Sequence, residues 1–139
     1  MTPRRPRLLP TGSFKHDSSP SISITALDDE YRTFRRHLHR HPEPAWCEFY
    51  TTARIVEALR DQDLNALHVG PDALATDDRM NVPADDELAE WERRAREAGA
   101  DAAVVDDLSG GYTGCVAVVE RGPGPVVGLR VDIDALPVT

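Results

Sequence analysis

The chain has 139 residues, enough for one domain with a real core, and its 40% hydrophobic and 29% charged content is that of an ordinary globular protein. A formal net charge of −8 argues against nucleic acid as a partner, because neutralising phosphates takes clustered Lys and Arg. No apolar run approaches the roughly 18 residues of a membrane span, and two cysteines without a C-x-x-C spacing fit a reducing cytoplasm rather than a disulfide scaffold.

Among the charges, 15 of 24 acids are Asp and 15 of 16 bases are Arg, Lys15 being the exception. Such a surface fits a protein kept soluble in high salt, and a GC-rich genome gives the same bias. Residues 1 to 23 hold Pro3, Pro6, Pro10 and Pro20 and few large apolar side chains, which predicts a disordered N-terminal arm. Arg4-Arg5 has the look of a twin-arginine signal, but Pro6, Pro10, Gly12 and Lys15 interrupt any apolar region behind it, so export is not expected.

Residues 24–139 are expected to form the folded part. Thr25 and Asp28 make a capping-box-like start to a first helix, with Leu27, Tyr31, Phe34, Leu38 and His41 along one stripe and Pro42 as the stop. His37 and His41, at i and i+4, share a face. No acid stands between them as in H-E-x-x-H, and His39 points elsewhere, so no metal is expected there. A second helix is expected over 46–60, carrying Phe49, Thr52, Ala53, Val56 and Leu59, then a short strand over 64–69 closed by Gly70-Pro71. The Asp-rich stretch 71–84 reads as a surface loop. Asp85 and Asp86 open a third helix, where acids suit the dipole, with Leu88, Trp91, Ala95 and Ala98 on its apolar face. Glu90 to Arg94 and Glu92 to Arg96 are its i, i+4 pairs, and Gly99 ends it. Residues 106–111 read as a loop and 115–119 as a strand. Gly122 to Pro125 is a turn, and a closing strand from Val126 should pair with 115–119 as a hairpin. Cys47 and Cys115 read as small buried hydrophobes.

The closing stretch, Val126 to Pro137, carries the chemistry. Its apolar run predicts a strand buried on both faces. Asp132 and Asp134, two apart, would then share a face at a separation of roughly 7 Å, at the strand end where open α/β sheets bind ligands. Two carboxylates there repel unless a cation or donor answers them. The alternative is that both cap the following loop. A strand ending in D-x-D also opens Mg²⁺ phosphatases with the first Asp as nucleophile and the second as acid/base, but there the strand usually lies near the N-terminus and a small residue and then Thr or Val follow, whereas here Ala135-Leu136-Pro137 follows.

Three stretches in order carry a family resemblance: Arg35-Arg36-His37-Leu38-His39-Arg40-His41-Pro42-Glu43, Gly111-Tyr112-Thr113-Gly114-Cys115-Val116-Ala117-Val118, and Gly128-Leu129-Arg130-Val131-Asp132-Ile133-Asp134-Ala135-Leu136-Pro137. The chain from about Ala26 onward resembles the start of the zinc aminoacylase/carboxypeptidase type of amidohydrolase, within it the branch that cleaves N-acyl amino acids, hippurate and auxin conjugates. The acidic insert with the Trp91 helix is similar to that of the p-aminobenzoyl-glutamate hydrolase type. The resemblance implies an α/β fold: the N-terminal portion of a catalytic domain with a mostly parallel sheet flanked by helices. It implies hydrolysis of a small N-acyl amino acid with one or two divalent metals, zinc or manganese, in the complete enzyme, and a homo- or hetero-oligomer. By resemblance Asp134 is the aspartate beside the metal centre, orienting a histidine ligand without binding metal itself. Asp132 stands where other branches carry a metal-binding histidine. The family's Cys-x-His motif, tandem glutamates and later histidine ligands are absent from the sequence. The chain therefore reads as an N-terminal piece, with no metal ligand of its own and inactive alone. The alternative is a non-catalytic remnant or interaction module.

Overall fold

The computed structural model describes residues 24–135, with side chains from residue 29 onward. The arm expected before residue 24, the side chains of the capping pair Thr25 and Asp28 and of Leu27, and Pro137 lie outside what is described. The order is α1 (Ile24–Leu38), α2 (Phe49–Arg60), β1 (Ala66–Val69), α3 (Asp85–Glu97), α4 (Ala102–Asp107) and β2 (Cys115–Val118). Short 3-10 turns at Gly70–Asp72 and Thr76–Asp78 lie between β1 and α3.

α1 stops a turn earlier than its apolar stripe suggests. The N–H groups of Arg40 and His41 bond back only three residues, to His37 and Leu38, a tightening that closes the helix before Pro42. α2 begins at Phe49 rather than at residue 46 because Trp46 adopts φ 68°, a left-handed conformation that a helix cannot pass through. α3 follows the sequence expectation closely, with Leu88 and Ala95 buried and Trp91 half-buried. Glu90 pairs with Arg94 at 2.8 Å as expected, but Glu92 does not pair with Arg96. Glu92 instead accepts from the Ser109 hydroxyl at 3.0 Å, and Arg96 reaches Asp106 at 2.6 Å, tying α3 to the far end of α4.

α4 is a helix that sequence patterning missed, and only residues 108–111 of the expected loop remain irregular or turn. Asp101 caps it by accepting from the Ala103 N–H at 2.9 Å. Its Val104 and Val105, with Leu108, complete the core against Phe49, Ala53 and Val56 of α2 and Leu88 and Ala95 of α3. Leu67 and Val69 of β1 and Cys115 of β2 pack on the edge of that cluster. Gly70 makes the close approach that seats β1 beside α4. At φ 65° it has no Cβ, and one built there would lie 2.2 Å from the Asp107 carbonyl oxygen.

β1 and β2 form one antiparallel ladder, Ala66 opposite Val118 through Val69 opposite Cys115. The expected hairpin between β2 and the segment from Val126 is not formed. That segment has no ladder, and Val126, Val127, Leu129 and Val131 are 99%, 84%, 89% and 70% exposed. An apolar strand of this kind is stable only with a neighbour at its edge and cover on both faces, and the described residues supply neither. The α/β arrangement is thus that of a partial domain, and the two strands paired among the described residues run antiparallel.

Candidate functional site

The polar residues that the fold gathers inside the protein lie at the N-terminus of α2. A helix start leaves its first N–H groups without partners. Here Glu48 is the N-cap residue but makes no side-chain capping bond. Glu43, five residues earlier, takes that role. Its two carboxylate oxygens accept from the N–H groups of Tyr50 and Thr51, each at 2.8 Å, and the side chain is 4% exposed. Burial pushes the Glu43 carboxyl above the ordinary carboxylate range, and the two N–H donors hold it back only in part.

Relieved of capping, the 8% exposed Glu48 turns to the loop before β2. The Thr113 hydroxyl donates to its Oε2 at 2.5 Å, and the Gly114 N–H donates to Thr52 Oγ1 at 2.9 Å, so this loop is fastened twice to α2. Gly111 opens the loop at φ 77°, where a Cβ would press on the Trp46 carbonyl and Leu88 at 3.2 Å each. Burial pushes the Glu48 carboxyl upward as well, the Thr113 hydroxyl opposes this, and the charge of Asp134 adds to the upward shift. Asp134 comes close because the N–H of its neighbour Ala135 donates to the Glu43 carbonyl at 2.9 Å.

The two aspartates singled out from the sequence are therefore placed unequally. Asp134, itself exposed, lies against the Glu43–Glu48 turn. Asp132 forms an exposed pair with Arg130 at 2.6 Å, an interaction of the kind that contributes at most ~1 kcal/mol. Neither sits at the end of a paired strand. Glu43, Glu48 and Thr113 were not assigned site roles from the sequence. All three fall inside the first two resembling stretches or just beyond them, but a buried carboxylate with a distant partner leaves no local pattern to read.

His37 and His41 do share a face, with ring centroids 5.1 Å apart. Their nitrogens are engaged: His37 Nε2 shares a 2.6 Å hydrogen bond with the Tyr50 hydroxyl, and His41 Nδ1 donates to the His37 carbonyl at 3.1 Å. Tyr50 stacks on His41 at 4.5 Å, so the cluster fastens the end of α1 to α2. Cys47 is fully buried, and burial followed by the nearby Glu87, Glu48 and Glu43 charges pushes its thiol up to about 11. Such a thiol is a packing group rather than a thiolate ligand. Among the described residues no group of three or more His, Cys, Asp or Glu side chains stands together to hold a metal ion. These residues do not by themselves fit a metal. No helix among them is long and apolar enough to cross a membrane.

A second cluster holds the insert before α3. Arg79 lies over the Tyr112 ring at 3.6 Å and the Trp46 ring at 5.9 Å, and donates to the Gly110 carbonyl at 2.8 Å. Trp46 Nε1 donates to the Met80 carbonyl at 2.9 Å. The expected surface loop is thus locked onto the segment that carries Thr113.

No family model matches the chain. It is 40% identical over 114 residues to indole-3-acetyl-aspartic acid hydrolase of Enterobacter agglomerans, covering 81% of this chain and 26% of that protein. It is 35% identical to a p-aminobenzoyl-glutamate hydrolase subunit of Escherichia coli (strain K12), again over 81% of this chain and 26% of the relative. The crystal structure of an aminobenzoyl-glutamate utilization protein from Klebsiella pneumoniae superposes with a TM-score of 0.77 at 36% identity, covering 81% of this chain and 28% of that one. The chain spans about a quarter of the length of the curated relatives it matches. Over four-fifths of its own length, this chain is a homologue of indole-3-acetyl-aspartic acid hydrolase and of the p-aminobenzoyl-glutamate hydrolase subunit.

Proposed function

We propose that this chain is the N-terminal part of the catalytic domain of a cytoplasmic, metal-dependent amidohydrolase that cleaves the amide bond of a small N-acyl amino acid. The observation that carries the reading is the homology over 81% of the chain to proteins named as hydrolases of p-aminobenzoyl-glutamate and of indole-3-acetyl-aspartic acid. It is supported by the bond from the Ala135 N–H to the Glu43 carbonyl, which brings the end of the Asp132-Ile133-Asp134-Ala135 segment to the turn before α2. In the complete enzyme zinc or manganese would polarise the carbonyl and activate water, with ligands from beyond the described residues. By the family resemblance Asp134 would orient one of those ligands, and Asp132 occupies the position that other branches fill with a metal-binding histidine. The Escherichia coli relative is named as one subunit of its hydrolase, which supports an oligomer that includes a second polypeptide.

The test is to isolate the native polypeptide that carries this sequence, measure its intact mass and assay it against p-aminobenzoyl-glutamate and indole-3-acetyl-aspartate. We expect release of the free amino acid, abolished by a chelator and restored by Zn²⁺ or Mn²⁺, and no turnover by residues 1–139 alone. A metal-loaded native polypeptide that hydrolyses neither compound would overturn the reading. The exposed run from Val126 to Val131 favours a second reading, an interaction module that adds a strand to a partner. A stable monomer with a cooperative melt and no amidase activity in the native protein is the result that reading requires.

A further inference from the structure

We infer that Glu43 is a positioning residue for Asp134: its carboxylate clamps the turn at residues 41–44 to the start of α2, and its own carbonyl, held by that clamp, receives the Ala135 N–H. The functional meaning rests on the amidohydrolase reading, in which Asp134 orients a metal ligand. The geometry stands without it.

An ordinary helix start is capped by a short polar side chain at the N-cap position itself. Such a cap would satisfy α2 locally and leave the preceding turn free. Here the N–H groups of Tyr50 and Thr51 are answered from five residues before the N-cap, while Glu48 at the N-cap position bonds Thr113 instead. The consequence is mechanical. Two bonds of 2.8 Å to one buried carboxylate fix the place and orientation of the Glu43 side chain, and with it the peptide that carries it. The flanks of the turn are pinned as well. His41 stacks on Tyr50 at 4.5 Å, and the Pro44 carbonyl accepts from the Cys47 N–H at 2.9 Å. The Glu43 carbonyl is thus presented at a fixed place beside α2.

The Ala135 N–H donates to that carbonyl at 2.9 Å, and among the described residues this is the one hydrogen bond that joins residues 126–135 to the rest of the fold. The run before it forms no ladder and lies exposed through Asp132. The place of Asp134, one residue before the donor, is therefore set through Glu43.

The experiment is amide hydrogen exchange by NMR on the 139-residue chain, wild type against Glu43→Gln and Val56→Ala, each held well below its melting temperature. Glu43→Gln keeps one acceptor for the α2 N–H groups and turns an amide donor toward the other. Val56→Ala is the control for lost stability, since it removes two methyl groups from the core farther along the same helix. The Ala135 amide should be protected in wild type and in Val56→Ala, and should exchange roughly tenfold faster in Glu43→Gln, as a local opening. An Ala135 amide that exchanges freely in wild type, or that loses the same protection in both variants, overturns the inference. In the native, metal-loaded polypeptide Glu43→Gln should lower kcat roughly tenfold with KM unchanged, and Val56→Ala should change neither. Equal kcat in those two variants also overturns it. Ala135→Pro deletes the same bond from the donor side and leaves the Glu43 clamp in place, so it serves should Glu43→Gln fail to fold. It should lower kcat while keeping the wild-type melt, and a wild-type kcat in that variant overturns the inference. The exchange arm needs no turnover, so protection lost only in Glu43→Gln, in a chain whose native polypeptide fails the amidase assay, would refute the hydrolase reading alone.

Discussion

Replacing Glu43 by Ala should be among the most damaging single changes in this protein. The side chain is buried and supplies both acceptors for the first free N–H groups of α2, the helix on which the core is built. Removing it strands two buried backbone donors, each costing about 1–3 kcal/mol, and leaves a void where the carboxylate stood. Relief of the carboxylate's own burial cost offsets part of this, so the net loss should be about 3 kcal/mol. For a domain of this size that is a fall in Tm of about 15 °C. Thermal and urea unfolding followed by circular dichroism measure it directly. Glu43→Gln keeps one acceptor and should fall about midway. Glu57→Ala, on the exposed face of the same helix, is the control and should change stability by less than ~1 kcal/mol. A Glu43→Ala protein within about 0.5 kcal/mol of wild type would refute the capping argument, since that is the range of an ordinary surface change.

Other outcomes follow from the same geometry. Glu48 has a folded-state pKa raised by burial above the ordinary 4.5, so its contribution to stability is full below that pH and is lost as pH rises through the raised value. Glu48→Gln should therefore match wild type below about pH 4.5 and exceed it increasingly toward neutral pH, read as the difference in urea midpoints. Gly70→Ala should cost more than ~2 kcal/mol, because its Cβ would lie 2.2 Å from a backbone oxygen at a left-handed φ. A normal melt of that variant would show that the β1–α4 junction is not as tight as described. Arg79→Ala removes the cation held over Tyr112 and Trp46 and should open the 71–84 segment to limited proteolysis while costing about 1–2 kcal/mol.

Periodicity made the helices legible, and chemistry at their ends did not follow from it. The stripe of Leu88, Trp91 and Ala95 located α3 within a residue, because a surface helix with one apolar face leaves a regular trace. α4 escaped because six residues are too few to show a period, although Asp101 before Ala102-Ala103-Val104-Val105 is a capping signal in plain view. The start of α2 at Phe49 is not legible in the sequence, because the left-handed turn at Trp46 has no glycine to announce it. The strand pairing is hidden from the sequence for a different reason. Val126 to Val131 has strand composition, but ladders are made by tertiary neighbours, and β2 found its partner in β1, far earlier in the chain. At the site, the D-x-D spacing drew attention to Asp132 and Asp134, and the structure separates them by surroundings rather than by distance along the chain. Asp134 is brought to the turn before α2 by the bond from the neighbouring Ala135 N–H to the Glu43 carbonyl, a contact between residues far apart in sequence. The resemblance carried by the Arg35–Glu43, Gly111–Val118 and Gly128–Pro137 stretches agrees with the homology found over 81% of the chain.

The most direct test is the hydrolysis of p-aminobenzoyl-glutamate by the native polypeptide carrying this sequence, wild type against Asp134→Asn, with saturating Zn²⁺ or Mn²⁺. An aspartate that orients a metal-binding histidine should cost about 10–100-fold in activity when replaced by its amide. Equal rates in the two proteins, or no hydrolysis by the metal-loaded wild type, would contradict the placement of this chain in an amidohydrolase site.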